Sequence, residues 1–384
     1  MKILFLTTIL FSKKRNGGEV ASQCFIDALR QSGHHVSVVG YFRKDDEFEQ
    51  EPQDTLIVDT RHTETSKAKF YTVLWLGLSF VLNLPYSSAK YYSATYIKMV
   101  KKLLANDNYD IVIIDHSQLD WLERFVKTTD KIIAIAHNVE HEMYIELAEK
   151  ANKLISKKIY EREAKLIKAE ENNLATKAKQ VWTLTQHDAE YFSKFNQAGG
   201  VRVFDLAPSS AKTQGKPLDK NFDIGIIGSW AWKANVEGLQ WFLENVYPHL
   251  PTDISIHVAG KGADWLTDKY SNIHYRGVVP DAQEFMAQAK VVAIPTLSGG
   301  GIQIKTLDAI ASGSAIVATP VALRGISNPP QTIQVAERPE DFAKLLVAAI
   351  ASPSMQQAFD EAINWYRTRK DKFVADVASA ISEL

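Results

Sequence analysis

The stretch Ser298-Gly299-Gly300-Gly301-Ile302-Gln303-Ile304-Lys305 sets three glycines between a buried-strand pattern and a helical one. Residues without a side chain let a ligand reach main-chain N–H groups, and the positive end of the following helix favours an anion there. Gly299, Gly300, Gly301, Ile302 and Gln303 are therefore candidates for holding a phosphate. Lys305, one turn into the helix, would add a cation, and Asp308 a turn further would offer a carboxylate to ribose hydroxyls. A second junction, Ile227-Gly228-Ser229-Trp230-Ala231-Trp232-Lys233, offers the amides of Gly228 and Ser229 with the charge of Lys233. Its two tryptophans are the size that more often packs than stacks on a ligand.

Two junctions in the first half carry different chemistry. Asn16-Gly17-Gly18-Glu19 opens a helix, which makes Gly17, Gly18 and Glu19 candidates for contacting an anion or a sugar hydroxyl. The spacing is not G-x-G-x-x-G, which disfavours a nicotinamide dinucleotide. His137 directly follows the apolar run 132–136 and so belongs at a strand's carboxyl end, where it would point into a ligand cleft. Taken literally, His137-Asn138-Val139-Glu140-His141 matches a zinc-protease pattern that needs both histidines on one helix face. A histidine that ends a strand does not meet that need, and no third ligand is evident, so no metal is expected.

These junctions require alternating strands and helices. Apolar runs at 3–7, 36–41, 111–115, 132–136 and 181–184 alternate with helical periodicity at 19–30 and 91–104. A second series has strands at 224–227, 254–259, 291–295 and 315–318, with helices at 236–246 and 302–312. The expected fold is α/β: two Rossmann-like, doubly wound domains facing across a cleft. A polar stretch with Pro, Ser and Gly separates them, so the domains are placed at 1–206 and 221–353, the linker at 207–220, and a helical segment at 354–384.

Composition narrows the function further. With 46% hydrophobic and 23% charged residues the chain reads as globular, and a net charge of -1 gives no footprint for nucleic acid. One cysteine among 384 residues fits a reducing, cytoplasmic setting. The start of the chain turns polar too soon for a signal peptide and reads as a strand. Residues 71–84, near Lys67 and Lys69, fit either core packing or contact with the inner face of a membrane.

Taken together, the chain resembles the retaining glycosyltransferases of family 4, which have the GT-B fold. The likeness runs through Gly17-Gly18, Gly33-His34-His35-Val36, Pro85-Tyr86-Ser87, His137-Asn138-Val139-Glu140, 228–238, Val258-Ala259-Gly260-Lys261-Gly262 and 299–313. More narrowly, it is similar to the bacterial subgroup serving cell-surface polysaccharide assembly. The resemblance implies an acceptor-binding N-terminal domain and a C-terminal domain that holds a nucleoside-diphosphate-sugar. It also implies a last helix crossing back to the first domain, and a metal-independent reaction needing no cofactor. His137 matches the family histidine beside the donor sugar, and Asp308 the second glutamate of E-x7-E. Gly300 stands where the first glutamate is usual, and Ser229 and Glu237 stand in place of the usual arginine and lysine. Lys305, with Lys233 or Arg324, is left to supply positive charge. The implied partners are the nucleotide-sugar and a glycan or lipid-linked acceptor. Two alternatives stay open: a non-catalytic sugar-nucleotide binder, and a nucleotide-sugar epimerase.

Overall fold

A computed structural model describes residues 1–10, 17–44, 46, 54–62, 69–127, 131–207, 218–331, 333–352 and 355–384. Asn16, Lys67, most of the linker expected at 207–220, and residues 353 and 354 lie outside the described residues. The chain falls into two compact units: Met1–Leu206 with Phe373–Leu384, and Ala207–Lys372.

The first unit is built on β1 (Lys2–Ile9), β2 (His35–Arg43), β3 (Thr55–Arg61), β4 (Ile111–Asp115), β5 (Ile132–Ala136), β6 (Gln180–Thr183) and β7 (Val201–Val203). They form one parallel sheet in the order β3-β2-β1-β4-β5-β6-β7. Ile3, Leu4, Phe5 and Leu6 are fully buried because β1 is flanked on both sides, with Ile3 registered against Val36 and Ile111. A strand covered on both faces has no polar side, which is why this run is continuously apolar. The helices are α1 (Gly17–Gln31), α2 (Lys69–Val81), α3 (Tyr86–Ala89), α4 (Ala94–Asn106), α5 (Glu140–Glu149), α6 (Leu154–Lys177) and α7 (Gln186–Phe192). Ser93 caps α4 by accepting from the Tyr96 amide.

The second unit repeats the plan with β8 (Phe222–Ile227), β9 (Ile256–Ala259), β10 (Ile273–Gly277), β11 (Ala289–Ile294), β12 (Ala315–Ala318) and β13 (Ile333–Val335). Their order is β10-β9-β8-β11-β12-β13, again parallel. Helices α8 (Lys233–Trp241), α9 (Ala282–Ala287), α10 (Ile304–Ala311) and α11 (Pro339–Ala351) cover it, and α12 (Met355–Ser382) follows. α12 contributes to the second unit as far as Lys372 and to the first from Phe373 onward. In the first unit Phe373 packs on Phe25 and Phe204, and Gln180 donates to the Ala380 carbonyl.

Both sheets reverse strand order beside their first strand, between β1 and β4 and between β8 and β11. Ligands of open α/β sheets bind outside the carboxyl ends of the strands at such reversals. Residues at the ends of β1, β4, β8 and β11 are thus positioned for function by topology alone.

α2 departs from the core-packing alternative. Trp75 and Ser79 face inward, while Val73, Leu74, Leu76, Phe80 and Val81 are exposed. Among the described residues, no helix is long and apolar enough to cross a membrane.

Candidate functional site

In the second unit, β11 ends at Ile294 and the chain reaches α10 through the glycine loop. Gly299 and Gly301 adopt φ of +130° and +66°, left-handed backbone that L side chains rarely take. These turns delay the helix to Ile304, two residues later than the sequence pattern suggests, and leave Ile302 in the loop and Gln303 at the N-cap. No side chain caps this helix start, so its first N–H groups remain available to a ligand. Arg324 steadies the loop by donating to the Gly299 carbonyl at 2.5 Å.

Lys305, the second residue of α10, points its Nζ at Asn235 Oδ1, 3.0 Å away, and Asn235 Nδ2 donates at 3.0 Å to the Ser229 carbonyl. This relay ties the glycine-loop helix to the first turn of α8 and to the loop after β8. Lys305, Asn235, Ile227, Trp230 and Pro295 line one hollow at the β8/β11 reversal. Burial pushes the Lys305 ammonium down from 10.5 to about 8, a cost that an incoming anion would relieve. α8 can lie this close because its Gly238 sits against the chain after β11: a Cβ there would come 2.2 Å from the Pro295 carbonyl oxygen.

Other residues singled out in the sequence are placed differently. Gly228 uses its N–H on the Ala259 carbonyl at 3.2 Å, which holds the loop in register. Lys233 is exposed and pairs with Glu237 at 3.5 Å along the surface of α8. Asp308, one turn further along α10, accepts from Gln283 of α9 at 3.4 Å. Trp230 is buried and donates to the Ala259 carbonyl, whereas Trp232 is 60% exposed.

The first unit assembles a second cluster at its own strand reversal. Asp115, the last residue of β4, is fully buried. It accepts from Thr7 Oγ1 of β1 on one oxygen and from His137 Nε2 on the other, each at 2.7 Å. A carboxylate only accepts, so His137 carries its proton on Nε2. Its Nδ1 is buried without a partner among the described residues. Burial alone would push the Asp115 carboxyl up, but the His116 and His137 imidazoles hold it below the usual carboxylate range. His116 takes φ +78°, uncommon for a residue with a side chain, and stacks on His137 with centroids 4.0 Å apart. Burial and His137 together push His116 down to about 4, so it is neutral at physiological pH.

Asp115, His116 and His137 bring ligand atoms within 4.8 Å of one another. Their geometry is nevertheless wrong for a shared ion. A metal lies in the plane of each imidazole it binds, and two rings stacked at 18° have no common point within bonding distance. The zinc-protease reading fails too: His141 turns away to Glu171, 2.6 Å from Nδ1, rather than joining His137.

Gly17 and Gly18 begin α1 beside this cluster. Ser22 Oγ donates to the Gly18 carbonyl at 3.0 Å and lies 3.5 Å from His137 Nε2. Glu19 is 4% exposed, and its carboxylate is bound by the Arg43 guanidinium through two contacts. Asp115, His116 and Asn235 were not among the candidates. Asp115 carries a readable signal, since it is a lone carboxylate closing a strand of four aliphatic residues.

Residues 221–352 match the family model of glycosyl transferases, group 1. Over its whole length the chain is similar to the lipopolysaccharide outer core galactosyltransferase WaaB, at 15% identity and TM-score 0.62, covering all of both chains. It is similarly close to Anabaena Alr3699/HepE in complex with UDP-glucose, at 13% identity and TM-score 0.60, again over all of both chains. Sucrose-phosphate synthase from Thermosynechococcus elongatus gives 14% identity and TM-score 0.63, covering this whole chain and 97% of that one. No curated protein matches the sequence. The two parallel sheets and these likenesses define the GT-B glycosyltransferase fold, with a group 1 glycosyltransferase domain in the second unit.

Proposed function

We propose that this chain is a retaining glycosyltransferase of the family 4 kind, moving a sugar from a nucleoside-diphosphate-sugar to a hydroxyl acceptor in polysaccharide or glycoconjugate synthesis. The observation that carries the reading is the half-buried Lys305 ammonium, held by Asn235 on an uncapped helix that follows three glycines. This lies inside the stretch matched by the group 1 model. The diphosphate gains negative charge as the glycosidic bond breaks, and a preorganised cation with oriented amides stabilises that change at little reorganisation cost. Gly299, Gly300, Gly301, Ile302 and Gln303 supply the main-chain part, and Lys305 the charge.

His137 is assigned to the donor sugar by the resemblance. With Nε2 committed to Asp115, Nδ1 is the atom free to accept a sugar hydroxyl. The leaving phosphate takes the acceptor proton, so no separate base and no metal are required. Gly300 in place of a glutamate favours a second reading, a binder that kept the donor site but lost transfer.

The test is release of nucleoside diphosphate from a panel of donors beginning with UDP-glucose, with excess EDTA present, and the anomeric configuration of any product read by NMR. Transfer with retention supports the proposal. Inversion, EDTA-sensitive turnover, sugar isomerisation without acceptor, or binding without turnover across the panel overturns it.

A further inference from the structure

α2 carries no charged residue from Phe70 to Val81, and its exposed residues are Tyr71, Val73, Leu74, Leu76, Gly77, Phe80 and Val81. Phe80 is 69% exposed and Val81 81%. A helix apolar on every side normally lies in a core or against lipid. Large contiguous apolar patches on a water-soluble surface mark a docking site.

The patch continues onto α6. Arg162 donates to Ser79 Oγ and to the Ser79 carbonyl and lies over the Phe80 ring at 4.5 Å, so it joins the two helices. Ile159 and Ile155 lie one and two turns before Arg162 on the same side of α6, since residues three and four apart share a helix face. Ile155 is 76% exposed and Ile159 54%. Lys158 shares this side with Leu154 and Ile155, and between 150 and 160 the chain has four lysines, at 150, 153, 157 and 158, with no acidic residue. The nearest acids are Glu146, which lies 3.8 Å from Lys150, with Glu149 and Glu161 at the margins.

From this juxtaposition we infer that the α2/α6 face of the first unit docks on an anionic lipid bilayer, with Val73, Phe80, Val81, Ile155 and Ile159 entering the acyl boundary and the lysines facing headgroup phosphates. Apolar insertion together with basic residues is the combination that holds a peripheral protein to anionic lipid. Charge decides against a second copy of the chain as occupant. A two-fold contact would bring a second set of these lysines into one interface where residues 150–160 offer no acid to pair with them, whereas an anionic surface neutralises them. The inference does not depend on the reaction assigned above.

The test is flotation of the full chain with phosphatidylcholine vesicles, with and without phosphatidylglycerol, at low and high salt. Binding to the phosphatidylglycerol vesicles alone, weakened by salt, is expected. The double variant Val73→Glu/Phe80→Glu should lower the bound fraction more than tenfold. Both positions are exposed, so its circular dichroism and thermal midpoint should match the parent. Lys157→Glu/Lys158→Glu should lose the lipid-charge dependence. No binding to either vesicle, equal binding to both, or self-association that the Val73→Glu/Phe80→Glu change abolishes while vesicle binding is absent, would each overturn the inference.

Discussion

Replacing Lys305 with methionine should make the ligand-free protein more stable and the nucleotide-bound protein less so. Burial lowers the Lys305 ammonium from 10.5 to about 8, which disfavours the charged folded state by roughly 3 kcal/mol at neutral pH. The variant also forfeits the 3.0 Å bond to Asn235, worth about 1–1.5 kcal/mol. The balance is a gain of about 1–2 kcal/mol, or roughly 2–8 °C in the midpoint of a unit this size. The effect has a definite pH signature. Between about 8 and 10.5 the unfolded lysine holds its proton while the folded one has released it, so the parent's stability rises with pH through that window. The penalty is relieved at about 1.4 kcal/mol per pH unit, so the advantage of the variant disappears roughly one unit above 8, before the window closes. Lys220, also lowered to about 8 by burial, titrates in the same range, but it is common to both proteins and cancels in the difference. Urea unfolding followed by tryptophan fluorescence at about pH 7 and about pH 10 gives the stability term. Calorimetric titration with a nucleoside diphosphate gives the other, with a loss of roughly 10- to 100-fold expected for one charge-assisted contact. A Lys305→Met protein that is less stable at neutral pH, or that binds the nucleotide as well as the parent, refutes the reasoning.

Further outcomes follow from the same geometry. His137→Ala should depress turnover while nucleoside diphosphate binding persists; equal loss of both, measured by titration and product release, would assign the residue to the nucleotide instead. Asp115→Asn removes a buried, charge-assisted bond and should cost about 1.5–3 kcal/mol in urea unfolding at neutral pH, with the difference fading as pH falls toward about 2, where the parent carboxylate takes up its proton. Glu140, raised to about 7 by burial and by Glu171, binds its proton more tightly folded than unfolded, so its contribution falls as pH rises from 4.5 to about 7. Glu140→Gln should flatten the stability curve across that interval, and an unchanged slope would count against the assignment. Gly238→Ala would drive a methyl into the Pro295 carbonyl and should cost about 1–3 kcal/mol, read from the denaturation midpoint, and weaken nucleotide binding by displacing Asn235.

What the sequence revealed and what it concealed divide along burial. The nine strands legible as apolar runs are β1, β2, β4, β5, β6, β8, β9, β11 and β12, the interior strands of both sheets. The four that left no such signal, β3, β7, β10 and β13, are the four edges. An edge strand pairs on one side only, and Val201–Val203 and Ile333–Val335 are short, incompletely buried and carry no hydrophobic run to read. The glycine loop and Lys305 were visible because backbone freedom and a buried cation both need particular residue types. The Lys305–Asn235 bond was not, since it joins residues 70 apart whose meeting depends on Gly238. Asp115 shows the same limit: its partners Thr7 and His137 lie 108 and 22 residues away and converge only through the order of strands.

The closing helix has a consequence for biosynthesis. Phe373 and Ala380 complete contacts with Phe25, Phe204 and Gln180, residues translated long before them. The amino-terminal half therefore cannot finish assembling until residues 373–384 have been made and have left the ribosome, and removing them would injure the half made first.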